Sequence, residues 1–146
     1  MSQENVEIVK RAIAAVNDRD IDRYLACCTG DVQLRTPLAP IGGVYEGADA
    51  IRRFFADIQD TSPDFRVELE RLDSIAPNRV LAFVRVTGTG RASGLANLGH
   101  TTAIDTPAVN IYDLTDGKIR RIRIFLDRHE ALEAVGLSEQ DAHADS

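Results

Sequence analysis

Residues 106–118 read TPAVNIYDLTDGK. Most of the stretch reads as a β-strand, and Asp116-Gly117 is the dipeptide of a tight hairpin turn. The residues that follow, KIRRIRIFLD, form a second long strand, so the two pair antiparallel. Asn110, between Val109 and Ile111, breaks the pattern. Asn is depleted from strand interiors, and a buried unpaired amide costs about 1–3 kcal/mol. Either Asn110 meets water, or it faces a cavity where something uses it.

Working backwards, RVLAFVRVTGTG (79–90) is almost continuously apolar, the pattern of a central strand covered on both faces. FRVELERLDSIA (65–76) alternates Phe65, Val67 and Leu69 and then slips register, and Pro77-Asn78 turns it back. RASGLANLGHTTAID (91–105) reads as a Gly-, Ser- and Asn-containing loop or irregular hairpin. Upstream, Val6, Val9, Ile13 and Val16 mark one face of a helix over 3–17. Asp20 caps a second helix over 21–28, with Gly30 closing it in a left-handed conformation. DVQLRTP (31–37) is a short strand and LAPIGGVYEG (38–47) a loop. ADAIRRFFADIQD (48–60) is a third helix with Ile51, Phe54, Phe55 and Ile58 on its apolar face. RHEALEAVGL is a short closing helix that ends at Gly136. A single domain spans 1–138, and 139–146 form a polar tail.

Runs of helices and runs of hairpin-linked strands predict an α+β fold. A strongly curved sheet can wrap around such helices. Helices that do not fill the concave side leave an apolar pocket.

The 146 residues are 44% hydrophobic and 27% charged, an ordinary one-domain globule, and the net charge is −6 with a pI near 5.0. Nucleic acids and anionic membranes call for a basic surface, so neither is an expected partner. Cys27 and Cys28 are adjacent and make no disulfide framework. There is no signal-peptide-like run and no span of about 20 apolar residues. The expectation is a soluble, cytoplasmic protein. There is no phosphate-binding glycine loop, no HExxH and no Gly-x-Ser-x-Gly elbow, and His100, His129 and His143 are scattered. No metal and no cofactor are expected.

The segments ENVEIVKRAIAAVNDRDIDRYL, GVYEGADAIRRFF and DGKIRRIRIFLDRHEALEAVGL, in this order, resemble the nuclear transport factor 2-like superfamily, specifically its SnoaL-like branch. That resemblance implies a cone-shaped α+β barrel, a curved antiparallel sheet wrapped around three helices, with an apolar pocket open at one end, and a homodimer. It spans ketosteroid isomerases, limonene epoxide hydrolases, polyketide cyclases and non-catalytic binding domains. By alignment to ketosteroid isomerases, the tyrosine position holds Ala12, the base position Thr36 and the second acid position Asn110. A threonine hydroxyl does not shuttle a proton near neutral pH as a carboxylate does. By alignment to the epoxide hydrolases, an aspartate position holds Ile124, and Arg85 stands near the arginine, with Thr87 where an acid is needed. Neither carboxylate set is matched.

The resemblance turns Asn110 inward with Tyr112 and Leu114. Asn110 is then a donor to a ligand carbonyl or enolate, or else an amide satisfied by backbone or water. Arg85 binds a carboxylate or pairs across strands. His100, with Asp105 nearby, is a general base only if its segment folds over the mouth. Asn110, Arg85 and His100 are the catalytic candidates. Tyr24, Thr36, Tyr45, Phe54, Tyr112, Ile122, Ile124 and Leu126 are the ligand-binding candidates. Arg121, Arg123, Phe125 and Asp127 face outward, a ladder suited to a sheet-on-sheet homodimer. The expected ligand is a small, mostly apolar, carbonyl-bearing molecule. The protein is then a cofactor-independent cyclase, isomerase or hydrolase, or a non-catalytic binding or dimerisation module of the same fold.

Overall fold

A computed structural model describes residues 2–37, 43–90 and 102–136. In chain order the elements are α1 (Ser2–Asp18), α2 (Ile21–Ala26), β1 (Cys28–Thr36), β2 (Gly43–Glu46), α3 (Ala48–Thr61), β3 (Arg66–Ala76), β4 (Arg79–Gly90), β5 (Thr102–Thr115), β6 (Lys118–Phe125) and α4 (Arg128–Ala134). The strands make one six-stranded sheet ordered β2-β1-β6-β5-β4-β3. Every neighbouring pair is antiparallel except β1 with β6, which run parallel. The fold is α+β, a curved, unclosed sheet with helices on its concave side.

The hairpins follow from local chemistry. Asp116 and Gly117 take φ of 50° and 76°, the positive pair that matches the twist of two hairpin strands. The register slip expected in the first long strand falls between Leu69 and Arg71 of β3. At Gly88 an added Cβ would stand 2.6 Å from Ser62 Oγ and 3.2 Å from Phe65 Cα, so only glycine allows β4 to pass this close to the segment entering β3.

Helix α1 lays Val9, Ala12, Ile13, Ala15 and Val16 on the sheet, the small alanines allowing close approach. Its end is tied to the sheet edge. Asn17 Nδ2 donates to the Val67 carbonyl at 2.9 Å and Asn17 Oδ1 accepts from the Val67 amide at 2.8 Å. Arg19, at φ 55°, donates to the carbonyls of Val16, Pro63 and Phe65. These bonds hold a non-glycine residue in a conformation it rarely adopts.

Four expectations are corrected. The second helix stops at Ala26 and Cys28 opens β1, because Cys28 pairs with Ile119 and the Ile119 amide donates to the Cys27 carbonyl at 2.7 Å. Gly30 therefore lies inside β1, beside an irregularity in its pairing, and does not close a helix. The Gly- and Pro-containing segment is not all loop, since its last residues form β2 against β1; residues 38–42 lie outside the described part. Residues 102–105, expected as loop, are strand, because β5 pairs with β4 as far as Gly90 and Thr102; residues 91–101 lie outside the described part. The C-terminal helix packs against the convex side of the sheet, where the sheet has a second, smaller core. There Ala131 and Leu132 of α4 cover Leu81, Phe83, Val109 and Ile111. Strand β4 is thus buried on both faces, as its apolar run requires. Among the described residues no helix is long and apolar enough to cross a membrane.

Candidate functional site

Side chains alternate along β5. Ala108, Asn110, Tyr112 and Leu114 are buried on the concave side, whereas Val109, Ile111 and Asp113 lie on the other. Asn110 stands between Ala82 of β4 and Ile124 of β6, and Tyr112 between Val80 and Ile122. Two residues apart on one face, they meet: Asn110 Nδ2 donates to Tyr112 Oη at 3.3 Å. Asn110 Oδ1 is buried and has no hydrogen-bond partner among the described residues.

Both residues line a cavity of about 40 Å³, closed by apolar side chains that include Ile13, Leu34, Phe65 and Val86. That is small for a ligand site, and aromatic and aliphatic side chains fill most of the concave side. Tyr24 sits edge-on to Phe55 and Phe54 edge-on to Tyr45, each at 5.2 Å between ring centres, and these aromatics occupy the helix side.

A larger groove, about 720 Å³, opens at the ends of β1, β2 and β6. Thr36, Val44, Ile124, Leu126, Asp127 and Glu130 are among its walls. Val44 and Leu126 are 56% and 41% exposed, unusual for large apolar side chains in this molecule. Ile124 lines both spaces, and it is the register partner of Asn110. Ile124 thus borders both the space around the buried amide and a groove of ligand size.

Tyr24, Phe54, Tyr112 and Ile122 line the inner cavity with Asn110, and Thr36 and Leu126 line the groove. Ile124 joins the two. Tyr45 is buried, but its hydroxyl donates to Asp57 Oδ2 at 3.2 Å, on the side of α3. Arg85 projects to the convex side, between the inward Val84 and Val86, and its Nη1 donates to Asp105 Oδ1 across the β4–β5 ladder. It does not line the cavity or the groove. His100 lies outside the described residues. Asp127, expected on the outward ladder, and Glu130 stand in the groove wall. The Asp-x-x-Glu spacing at a helix start carries a signal of their placement: Asp127 Oδ1 accepts from the Glu130 amide and caps α4 at the groove wall.

Burial pushes the Tyr112 hydroxyl up to about 12, while the hydrogen bond from Asn110 works weakly the other way. The hydroxyl keeps its proton at neutral pH. Burial also raises Tyr24 well above the usual phenol value, and lifts the Cys28 thiol to about 12. Cys28 Sγ donates to the Tyr24 carbonyl at 3.3 Å and is no thiolate nucleophile. Among the described residues, no carboxylate or imidazole lines the inner cavity. Among the described residues the cavity thus offers hydrogen-bonding groups and no group that shuttles a proton near neutral pH.

On the convex face Asp113 is ringed by arginines. Arg79 Nε stands 2.6 Å and Arg121 Nη2 2.8 Å from its carboxylate oxygens, with Arg123 Nη2 at 3.4 Å. Burial alone would raise the Asp113 pKa, but the hydrogen bonds and charges of Arg79 and Arg121 outweigh it and hold the value below the usual carboxylate range. The outward arginines of the last strand are thus paired within the chain.

The family model of the SnoaL-like domain matches residues 9–122. An NTF2-like protein from Burkholderia pseudomallei superposes with a TM-score of 0.71 at 18% identity, covering 91% of this chain and 98% of the other. The epoxide hydrolase/cyclase-like enzyme SalBIII, which has a role in pyran ring formation in the polyether salinomycin, gives 0.69 at 24% identity over 88% of this chain and 95% of its own. A candidate polyketide cyclase from Sinorhizobium meliloti gives 0.65 at 18% identity over 85% and 98%. At these identities the likeness is one of fold. No curated protein matches the chain.

Proposed function

Because this chain belongs to the family of SnoaL-like domains, we propose that it binds a small, mostly apolar, carbonyl-bearing molecule in the groove beside Ile124, with the polar end of that molecule at Asn110 and Tyr112. The observation that carries the reading is the half-paired amide of Asn110, whose register partner Ile124 also borders the groove. An unpaired buried acceptor costs about 1–3 kcal/mol, and a ligand that pairs it recovers part of that cost. The apolar walls, Val44, Leu126 and Phe125 among them, take the body of the molecule. Two of the neighbours, one with a role in pyran ring formation in a polyether and one a candidate polyketide cyclase, are in keeping with this reading.

A second reading, catalysis, draws on Asp127 and Glu130, the carboxylates in the groove wall. They could move a proton for a cyclase, isomerase or hydrolase reaction without a cofactor. A Glu130→Gln variant that keeps ligand affinity and loses turnover would favour this second reading over simple binding.

The binding reading is tested by a thermal-shift screen of small aromatic and alicyclic ketones and hydroxy-ketones on the wild type and on Ile124→Trp, which fills the neck. A compound at a hundred times its dissociation constant stabilises the wild type by about 2.7 kcal/mol. The same compounds should leave the Trp variant nearly unmoved. Hits that stabilise both proteins equally would place the binding elsewhere.

A further inference from the structure

We infer that the Asn110–Tyr112 pair selects a ligand whose polar end carries a hydrogen-bond donor and an acceptor side by side, as in an enolised 1,3-dicarbonyl or a hydroxy-ketone, rather than a lone carbonyl. The inference rests on the pocket reading above and narrows its ligand class.

The argument is a count of donors and acceptors. A carboxamide has an acceptor oxygen and an NH₂ group with two N–H donors, and a phenol has one O–H donor and an acceptor oxygen. The two side chains share one bond, from Asn110 Nδ2 to Tyr112 Oη. That leaves the Oδ1 acceptor, which has no partner among the described residues, and two donors, the second Nδ2 hydrogen and the Tyr112 O–H. Turning the amide over exchanges the roles without changing the sum. Tyr112 would then donate to Oδ1, leaving both amide N–H groups as donors and Oη as an acceptor. In either arrangement an acceptor stands next to free donors at the cavity wall. A lone ketone answers only the donor and leaves a buried acceptor unpaired. An anion brings acceptors alone, and the cavity walls named for it carry no cation to offset its desolvation.

Two further observations agree. Burial holds the Tyr112 proton in place well above neutral pH, so the donor is present under ordinary conditions. The cavity beside the pair is far smaller than the 720 Å³ groove that shares Ile124 with it, so a narrow polar head suits the cavity and the bulk of the molecule suits the groove. The shape required is a narrow head with adjacent C=O and O–H groups, joined to an apolar body.

The test is calorimetric titration of the full chain at neutral pH with three probes of one skeleton. These are 1-phenylbutane-1,3-dione, which is largely enolised; its planar enol methyl ether, which has lost the donor; and 4-phenylbutan-2-one, a lone ketone. The diketone should bind at least tenfold more tightly than either control, the loss expected when a buried acceptor is left unpaired. In Asn110→Leu and in Tyr112→Phe that preference should fall to less than threefold. If the wild type prefers the diketone by less than tenfold while Ile124→Trp still abolishes binding of the probes, the pocket stands and the donor–acceptor rule falls. If no probe binds, or if Ile124→Trp binds them unchanged, the pocket reading falls and the rule goes with it. The wild-type ratio alone decides the rule, so the result does not depend on how well the variants fold.

Discussion

Strand β5 buries one polar residue on each side of the sheet. Asp113 faces the convex side and Asn110 the concave side, three positions apart. Asp113 meets Arg79, Arg121 and Arg123, more positive charge than its own carboxylate balances. Asn110 makes a single hydrogen bond, to Tyr112, and leaves its oxygen unmatched among the described residues. Both are nearly inaccessible, so burial does not distinguish them. What distinguishes them is saturation. A buried polar group with every valence met holds the fold together, and removing it strands its partners. A group with a valence left over contributes little to stability and is available to something else.

The largest effect should come from breaking the saturated side. Asp113→Ala leaves three neighbouring arginines without their shared counter-charge, and should cost about 3 kcal/mol in urea unfolding, the low end for a buried pair because the arginines reach water. A loss under about 1 kcal/mol would erase the contrast. Next comes the neck. Ile124→Ala removes a half-buried side chain from between the two spaces and should cost about 2 kcal/mol, while widening the range of probes that the thermal-shift assay detects. A costly variant with no new ligands would mean that Ile124 is packing alone.

A smaller effect is carried by charge. Asp113→Asn keeps the shape and loses the charge-assisted bonds, about 1.5–3 kcal/mol at neutral pH before the relief of desolvation is subtracted. The sign follows from the lowered native pKa of Asp113. Its contribution is fully present above the unfolded value of about 3.9 and is lost as pH falls through the lower native value. The stability gap between wild type and Asp113→Asn should hold constant from about pH 7 to 5 and close below about pH 4. A gap that persists in strong acid would show that the arginines bind the side chain without needing its charge.

The smallest effect should belong to Asn110→Leu. It removes an orphaned acceptor and leaves the Tyr112 hydroxyl without its donor, so stability should move by less than about 1 kcal/mol in either direction. Ligand binding, by contrast, should suffer. A loss of 2 kcal/mol or more in unfolding would make Asn110 a structural residue like Asp113.

Much of this molecule is legible along the chain. Alternation in β5 puts Asn110 and Tyr112 on one face, and the Asp116-Gly117 turn fixes which strand lies beside it. The continuous apolar run of β4 announces burial on both sides, and the stripe of α3 announces its buried face. Three pairings are not legible. Strand β2 hides in a Gly- and Pro-containing segment, Cys28 leaves its helix to join the parallel partner β6, and α4 folds onto the convex face. Each depends on a partner distant in sequence, which local propensity does not encode.

The sequence by itself determined the α+β class, because periodicity of 2 and 3.6 residues is written in neighbouring positions, and its resemblance to the SnoaL-like branch implied the family and the inward side of Asn110. Only the tertiary structure decided that side chains fill most of the concave side, that Tyr112 takes one end of the amide, and that Arg79, Arg121 and Arg123 converge on Asp113. Free volume and saturation are sums over side chains from many segments. They take a value only once those segments have packed together.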